Sequence, residues 1–307
     1  MELITGENDK GRRLDRILRK ALSDCPLPLI HRLLRQKKVL VNGKPGKAND
    51  RIDGGVKISI GLLTAPSLEN MQTRKPQVRQ FPPPEILWQG LGLMAVNKPA
   101  GLAVHGQNSL DDMVRSFLSD KLPVSLSFKP GPLHRLDKPS SGIVIFSTSI
   151  EGARLFSSLM REHKVRKTYL AVVEGNVKGE EIWQDDLIRD KEKKKTYVLH
   201  PNADGGKTAL TKVTPLAADG NYTLIKAEIA TGRTHQIRAQ AAFHGHPLAG
   251  DKKYGGKKFG EKNGFFLHAW KLEFLEYAIT APNGGNHLPE SAFSNLQITL
   301  NALCGSF

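Results

Sequence analysis

The chain has 307 residues, enough for one sizeable domain of about 200 residues and a smaller one. It is 39% hydrophobic and 24% charged, no apolar run approaches the roughly 20 residues of a membrane span, and MELITGENDK lacks a secretory pattern, so a soluble, cytoplasmic protein is expected. Cys25 and Cys304 stand outside any CxxC or Cys/His cluster, which argues against a disulfide framework or zinc site, and a net charge of +15 points to a polyanionic partner more than to a basic surface serving solubility alone.

Residues 10–60 concentrate the charge, with fourteen Lys/Arg against four acids. Within them Leu14, Ile17, Leu18 and Leu22 fall at helical spacing, and a second helix is predicted over Pro28 to Arg35 with Leu29, Leu33 and Leu34 on its apolar side. Two short strands follow: Val39 to Val41 runs into the turn Asn42-Gly43, and Val56, Ile58 and Ile60 alternate with polar residues. The string HRLLRQKKVLVNGKP resembles the S4 RNA-binding domain, which implies an α/β module over 1–61 that presents basic side chains to structured RNA.

Residues 62–85 turn Pro- and Gln-rich, lose apolar periodicity and end in three prolines, so they are read as a linker. From 86 to 307 a second domain is expected. Strands are predicted at Leu93–Val96, Ile143–Phe146, Tyr169–Val173, Ala209–Val213 and Thr223–Ile229, and helices at Leu110–Leu118, Glu151–Glu162 and Thr234–Phe243. Turns separate most of the strands, which suits an α+β fold on a largely antiparallel mixed sheet with flanking helices. The charge cluster Lys191 to Lys195 reads as a solvated loop.

The segment GPLHRLDKPSSGIVIFSTS (131–149) sets Asp137 beside Arg135 and His134 ahead of an apolar strand. A nearby guanidinium could hold Asp137 ionised, but an ordinary turn, with Asp137 and Ser140 bonded to backbone groups, accounts for the residues better when they are taken alone. HRLDKPSSG resembles the HRLDxxTSG signature of the RluA-type pseudouridine synthases, with Ser140 in place of the usual threonine. Four further blocks resemble that family in the right order: AVNKPAGLAVHG (95–106), RKTYLAVVEG (166–175), GRTHQIRAQAAFHGHPLAGDKKYG (232–255) and LHAWKLEF (267–274). The resemblance implies cofactor-free isomerisation of uridine in RNA, and the N-terminal module points to the RluC-like subgroup acting on large-subunit ribosomal RNA. A transfer-RNA synthase and a non-catalytic ribosome-assembly factor are the alternatives. The protein is expected to act as a monomer.

Residue by residue, the resemblance implies a catalytic role for Asp137, as covalent nucleophile or as base. Arg238 would be its salt-bridge partner, in a bidentate pair or else bound to phosphate. Tyr169 would have a catalytic role, stacking on the target base and assisting removal of the C5 proton, and Leu267 would form an apolar wall opposite it, though either could simply be a core residue. Arg135 would enter the helical stack vacated by the target nucleotide, or else pair with a surface acid. Arg233, His235 and Lys167 are placed among the substrate contacts, with a structural hydrogen bond left open for His235. Lys98, His105 and His134 are read as structural. The Gly- and Lys-rich stretch 250–260 lacks P-loop order and is read as an RNA-facing loop, and no zinc spacing is found among the histidines. The hairpin that commonly follows the LxF strand in the family is shortened here, which leaves the last 30 residues open in pairing.

Overall fold

The leucine and isoleucine stripe near the N-terminus forms the helix its spacing predicts. In the computed structural model, which describes residues 1–23, 25–61, 81–199, 204–259, 264–282 and 294–304, Leu14, Ile17 and Leu18 are the buried face of α1 (Leu14–Ala21). They pack with Ile30, Leu33 and Leu34 of α2 (Leu27–Arg35). Around the helices lie β1 (Glu2–Ile4), β2 (Arg12–Arg13), β3 (Val39–Val41), β4 (Lys44–Pro45), β5 (Arg51–Ile52) and β6 (Lys57–Ile60). They form a sheet of order β1-β6-β3-β4 and a separate β2-β5 pair. Asn42 and Gly43 both take positive φ in the β3–β4 turn, the conformation an Asn-Gly hairpin requires.

This cluster belongs to a compact unit of Met1–Pro83, Met113–Gly131 and Ser147–Gly152, larger than the 1–61 module. The two later segments join it through specific bonds. Asp9 accepts from the backbone N–H of Leu126 and Ser127 and from the hydroxyls of Ser125 and Ser127. Asn8 Oδ1 accepts from Ile150 N–H. Most of the expected linker, 62–80, lies outside the described residues.

The second unit comprises Pro84–Asp112, Pro132–Phe146 and Ala153–Phe307. In chain order the remaining elements are β7 (Glu85–Gly90), β8 (Leu93–Lys98), α3 (Leu110–Leu118), β9 (Gly131–Pro132), β10 (Ser141–Ser147), α4 (Ile150–Arg161), β11 (Arg166–Glu174), β12 (Glu181–Asp190), β13 (Lys195–Val198), β14 (Lys207–Asp219), β15 (Tyr222–Ile229), α5 (Gln236–Phe243), β16 (Leu267–Phe274), β17 (Tyr277–Thr280) and α6 (Ser294–Cys304). The long sheet has the order β13-β12-β14-β15-β11-β16-β10-β8-β7, with β17 beside β16. Neighbours from β13 to β16 pair antiparallel, whereas β10 and β16 run parallel. The fold is α+β on a mixed, largely antiparallel sheet. Among the described residues no helix is long and apolar enough to cross a membrane.

Strand β11 shows how the sheet is covered. Tyr169, Ala171 and Val173 meet Ile237 and Ala241 of α5 in one cluster, while Leu170 and Val172 meet Leu296 and Leu300 of α6 in another. This alternation is the period of two that a strand buried on both faces must show. The strands at 85–90, 181–190 and 195–198, and α6, were not predicted from the sequence. In β12, Ile182 and Ile188 are exposed and only Trp183 and Leu187 are buried, so its apolar residues do not mark one face by alternation. The hairpin after LEF does form, with β17 four residues long.

Candidate active site

Asp137 heads a tight turn in which Ser140 N–H donates to Asp137 C=O at 3.1 Å. Both ends of the turn are anchored. Upstream, Lys98 is fully buried and donates to the carbonyls of Pro99, Leu102 and Lys138 at 2.9, 2.7 and 3.2 Å. Burial outweighs the attraction of Asp137 and lowers its pKa to about 8. Downstream, Gly142 has φ +105°, and a Cβ there would lie 2.3 Å from Ala269 O, so glycine alone permits the close parallel approach of β10 to β16. Next to it Ser141 Oγ lies 2.9 Å from His268 Nδ1 in the interior.

The turn delivers Asp137, half-buried, to a cleft that also contains Tyr169, Leu267, Arg135, Arg233, His235 and Arg238. Arg238, in the first turn of α5, donates from Nη1 to Asp137 Oδ2 at 2.7 Å. The bidentate pair expected between these two does not form. Instead Nε and Nη2 of Arg238 donate to Oδ2 and Oδ1 of Asp251 at 2.6 and 2.9 Å. The Nε/Nη2 edge of the guanidinium fork is thereby filled, and Asp137 is met through Nη1 alone. Burial works against the charge on Arg238, but the carboxylates of Asp251 and Asp137 outweigh it and raise the pKa. Asp137 Oδ1 accepts no hydrogen bond among the described residues.

His235 has φ 56°, a left-handed conformation that keeps it out of the helix, so α5 begins at Gln236 and not at Thr234. Its Nδ1 lies 2.8 Å from Tyr254 Oη and 3.4 Å from Arg189 Nη1. Arginine can only donate, so Nδ1 carries the lone pair and the ring proton sits on Nε2, 3.6 Å from Asp137 Oδ2. Burial, helped by Arg238, Arg189 and Lys253 and opposed by Asp137, lowers the His235 pKa to about 4. The ring is neutral at pH 7 and is no counter-ion.

Tyr169 sits where the pairing of β11 with β16 shifts register, between Thr168 and Tyr169, a bulge of the kind that re-aims side chains beside active sites. Burial and then the Asp137 charge raise its pKa, so the phenol is neutral at ordinary pH. Leu267 pairs with Ala171, which places it beside Tyr169 on the same face and not opposite. Arg135 is exposed at the cleft and has no hydrogen-bond or ion-pair partner among the described residues. Arg233, also exposed, donates from Nε to Thr208 O, while its backbone N–H is taken by Gln236 Oε1. Lys167 lines a small neighbouring cavity with His134 and Tyr169, and burial lowers its pKa.

Of the three residues read as structural, Lys98 and His134 are built into the support; His134 Nε2 accepts from Ile145 N–H. His105 is exposed, 3.8 Å from Asp111. Sequence reasoning missed Asp251, Tyr254, Arg189 and Thr196. In the loop read as RNA-facing, Lys252, Lys253, Lys257 and Lys258 do point outward, but Asp251 and Tyr254 are buried in the site; Gly260 lies outside the described residues. Aspartate and tyrosine among four lysines were the only signal.

Residues 92–243 match the family described as RNA pseudouridylate synthase. Among curated relatives, ribosomal large subunit pseudouridine synthase C of Vibrio parahaemolyticus is 31% identical, over 87% of this chain and 86% of its own length. The uncharacterized RNA pseudouridine synthase YlyB of Bacillus subtilis is 28% identical over 96% of this chain and 99% of its own. Among solved structures, human RNA pseudouridylate synthase domain containing 1 has the same fold, with a TM-score of 0.57 and 20% identity over 76% of this chain and 98% of that one.

Proposed function

We propose, for a chain that belongs to the RluA-type RNA pseudouridylate synthase family and is thus an RNA pseudouridine synthase, that Asp137 is the reacting carboxylate and that large-subunit ribosomal RNA carries the target uridines. The observation that carries this reading is one half-buried carboxylate, bonded through a single oxygen to an arginine, in the same cleft as a neutral tyrosine ring. Pseudouridine formation breaks the ribose C1′ to uracil N1 bond and joins C1′ to C5, while C5 loses a proton and N1 gains one. Atoms balance within the RNA, so no cofactor is called for. The free oxygen of Asp137 serves as covalent nucleophile toward the nucleoside or as the base that opens a glycal route.

The target base must leave the helix to reach this cleft, at a cost of a few kcal/mol of stacking, roughly. The Tyr169 ring, continued by Leu267, offers the flat apolar surface on which an extruded uracil stacks. Arg135, unpartnered and exposed, is suited to fill the vacated position. Arg233 and Lys167 supply cationic contacts to the backbone, and the His235 Nε2–H faces the carboxylate at 3.6 Å. In the other unit, exposed Arg16, Arg19, Lys20, Arg32, Arg35, Lys37 and Lys38 form an S4-like surface that tethers RNA and raises its local concentration. The large-subunit substrate is supported by the names of the relatives at about 30% identity. Acting on it, the protein works as a cytoplasmic monomer.

The test supplies the purified protein with unmodified large-subunit RNA and, separately, with unmodified transfer RNA, and maps pseudouridine by carbodiimide-dependent stops. New pseudouridine in the large-subunit RNA, absent with Asp137→Ala, is expected. Product in transfer RNA alone overturns the substrate. An Asp137→Ala variant as active as wild type overturns the carboxylate.

A further inference from the structure

Asp251 lies 13 residues beyond Arg238 and is 2% exposed, against 6% for the arginine. A carboxylate in that position normally neutralises a structural cation. Here the cation has a second partner, because the same guanidinium donates to Asp137. It also packs on two aromatic rings: Tyr254 and Phe265 have ring centroids 5.0 and 4.5 Å from Cζ. With Nε and Nη2 bonded to Asp251 and Cζ packed on two aromatic rings, the guanidinium is held in the orientation in which Nη1 meets Asp137.

We infer that Asp251 is a positioning residue for the reaction: by binding Nε and Nη2 of Arg238 it holds the guanidinium in the orientation in which Nη1 alone meets Asp137, so that one oxygen of Asp137 stays free to react. The inference rests on the reading of Asp137 as the reacting carboxylate. Without Asp251, a buried guanidinium would turn its fork to the remaining carboxylate and engage both oxygens, the pairing that arginine and carboxylate geometry favours. Asp251 also makes the site two anions around one cation, so Arg238 does not spend its whole charge on Asp137. The loop that carries Asp251 is held at its backbone. Tyr254 N–H and Gly256 N–H both donate to Asp251 O, at 2.9 and 3.0 Å. Gly250, at φ +87°, lets the chain pass so close to Gly264 that a Cβ would lie 2.0 Å from its carbonyl oxygen. The loop thus holds the carboxylate in place before RNA arrives.

The test compares single-turnover pseudouridine formation, RNA affinity and melting for wild type, Asp251→Asn, Arg238→Lys and the double variant. Asp251→Asn is expected to lower kcat by about tenfold or more while the RNA Kd stays within about twofold, as misplacement of a reacting group does. In the Arg238→Lys background the same substitution is expected to cost less than about twofold, because residues acting through one group are not additive. The inference is overturned if Asp251→Asn leaves kcat unchanged, or if its loss carries over in full to the Arg238→Lys background. Should Asp251→Asn fail to fold, nitrogen NMR of the wild-type arginine side chains decides. Separate, slowly exchanging Nη signals for Arg238 support the clamp, and averaged signals refute it. A wild type without pseudouridine activity sinks the Asp137 assignment itself, whereas an active wild type with an unaffected Asp251→Asn sinks this inference alone.

Discussion

Asp9, at the end of a short 3-10 helix (Glu7–Asp9), and Asp137, in a turn, are carboxylates of the two compact units, one in each, and they are treated in opposite ways. Asp9 is fully buried and saturated: its two oxygens accept from the N–H groups of Gly6, Leu126 and Ser127 and from the hydroxyls of Ser125 and Ser127. Burial opposes its charge, yet the bonds from Ser127, Gly6, Leu126 and Ser125 outweigh burial and lower its pKa. Asp137 keeps partial exposure, one arginine bond and one oxygen without a hydrogen bond among the described residues. A carboxylate with every lone pair used has none to offer a substrate. Saturation marks the structural carboxylate, and incomplete coordination the one proposed to react.

Exchanging the two losses is the strongest way to break this comparison. Asp137→Asn is expected to reduce pseudouridine formation by about 10⁴-fold or more, as removal of a reacting group does, with the melting temperature nearly unchanged. Asp9→Asn should do the reverse. It strands buried donors and costs roughly 2–4 kcal/mol of stability, read from denaturant midpoints, while the remaining folded protein keeps its turnover. If Asp9→Asn slows the chemistry at full occupancy of the folded state, saturation does not separate the two roles.

Acid sharpens the comparison with a smaller effect. His134 is lowered to about 3 by burial and then Lys167, His268 to about 4 by burial, and His235 to about 4. The unfolded chain takes up protons at these histidines near pH 6.5, whereas the folded chain does so only near 3 to 4. The unfolded state therefore binds more protons in between, and stability, complete above about pH 6.5, falls as pH drops toward 4. Melting temperature measured from pH 7.5 to 4.5 should decline, and His268→Asn should flatten the decline. A flat wild-type profile would contradict the buried neutral histidines. Asp9 adds a loss at lower pH, where its depressed carboxylate is finally protonated.

The smallest expected effect concerns RNA affinity. Replacing exposed Arg19, Lys20 and Arg35 by alanine should weaken binding evenly across sequences and lower the slope of log K against log salt by about 0.7–0.9 per lost phosphate contact. The rate of the bound complex should not change. An unaltered slope would remove the helical face of the N-terminal unit from the RNA contact.

The sequence by itself determined the two helices of the basic module, because Leu14, Ile17, Leu18 and Leu29, Leu33, Leu34 repeat at helical spacing, although the structure buries Ile30 more fully than Leu29, and it placed the strands that carry dense apolar runs. It also supplied Asp137, Tyr169 and Arg238 as candidates through five ordered blocks whose resemblance covers residues 93–274. What it could not express was valence. The Asp137–Arg238 bond spans 101 positions, and whether an arginine meets a carboxylate with two donors or one depends on how its other partners turn the guanidinium. That orientation is settled by the loop carrying Asp251 and by the rings of Tyr254 and Phe265. Strand β12 was hidden because its exposed isoleucines break the alternation, and Arg189 on it reaches His235 only after the sheet has formed. Composition and periodicity report the environment each residue prefers, and those preferences suffice to order helices and strands. Only the packed tertiary structure decides which donor faces which acceptor, since a hydrogen-bond direction is a relation between distant segments.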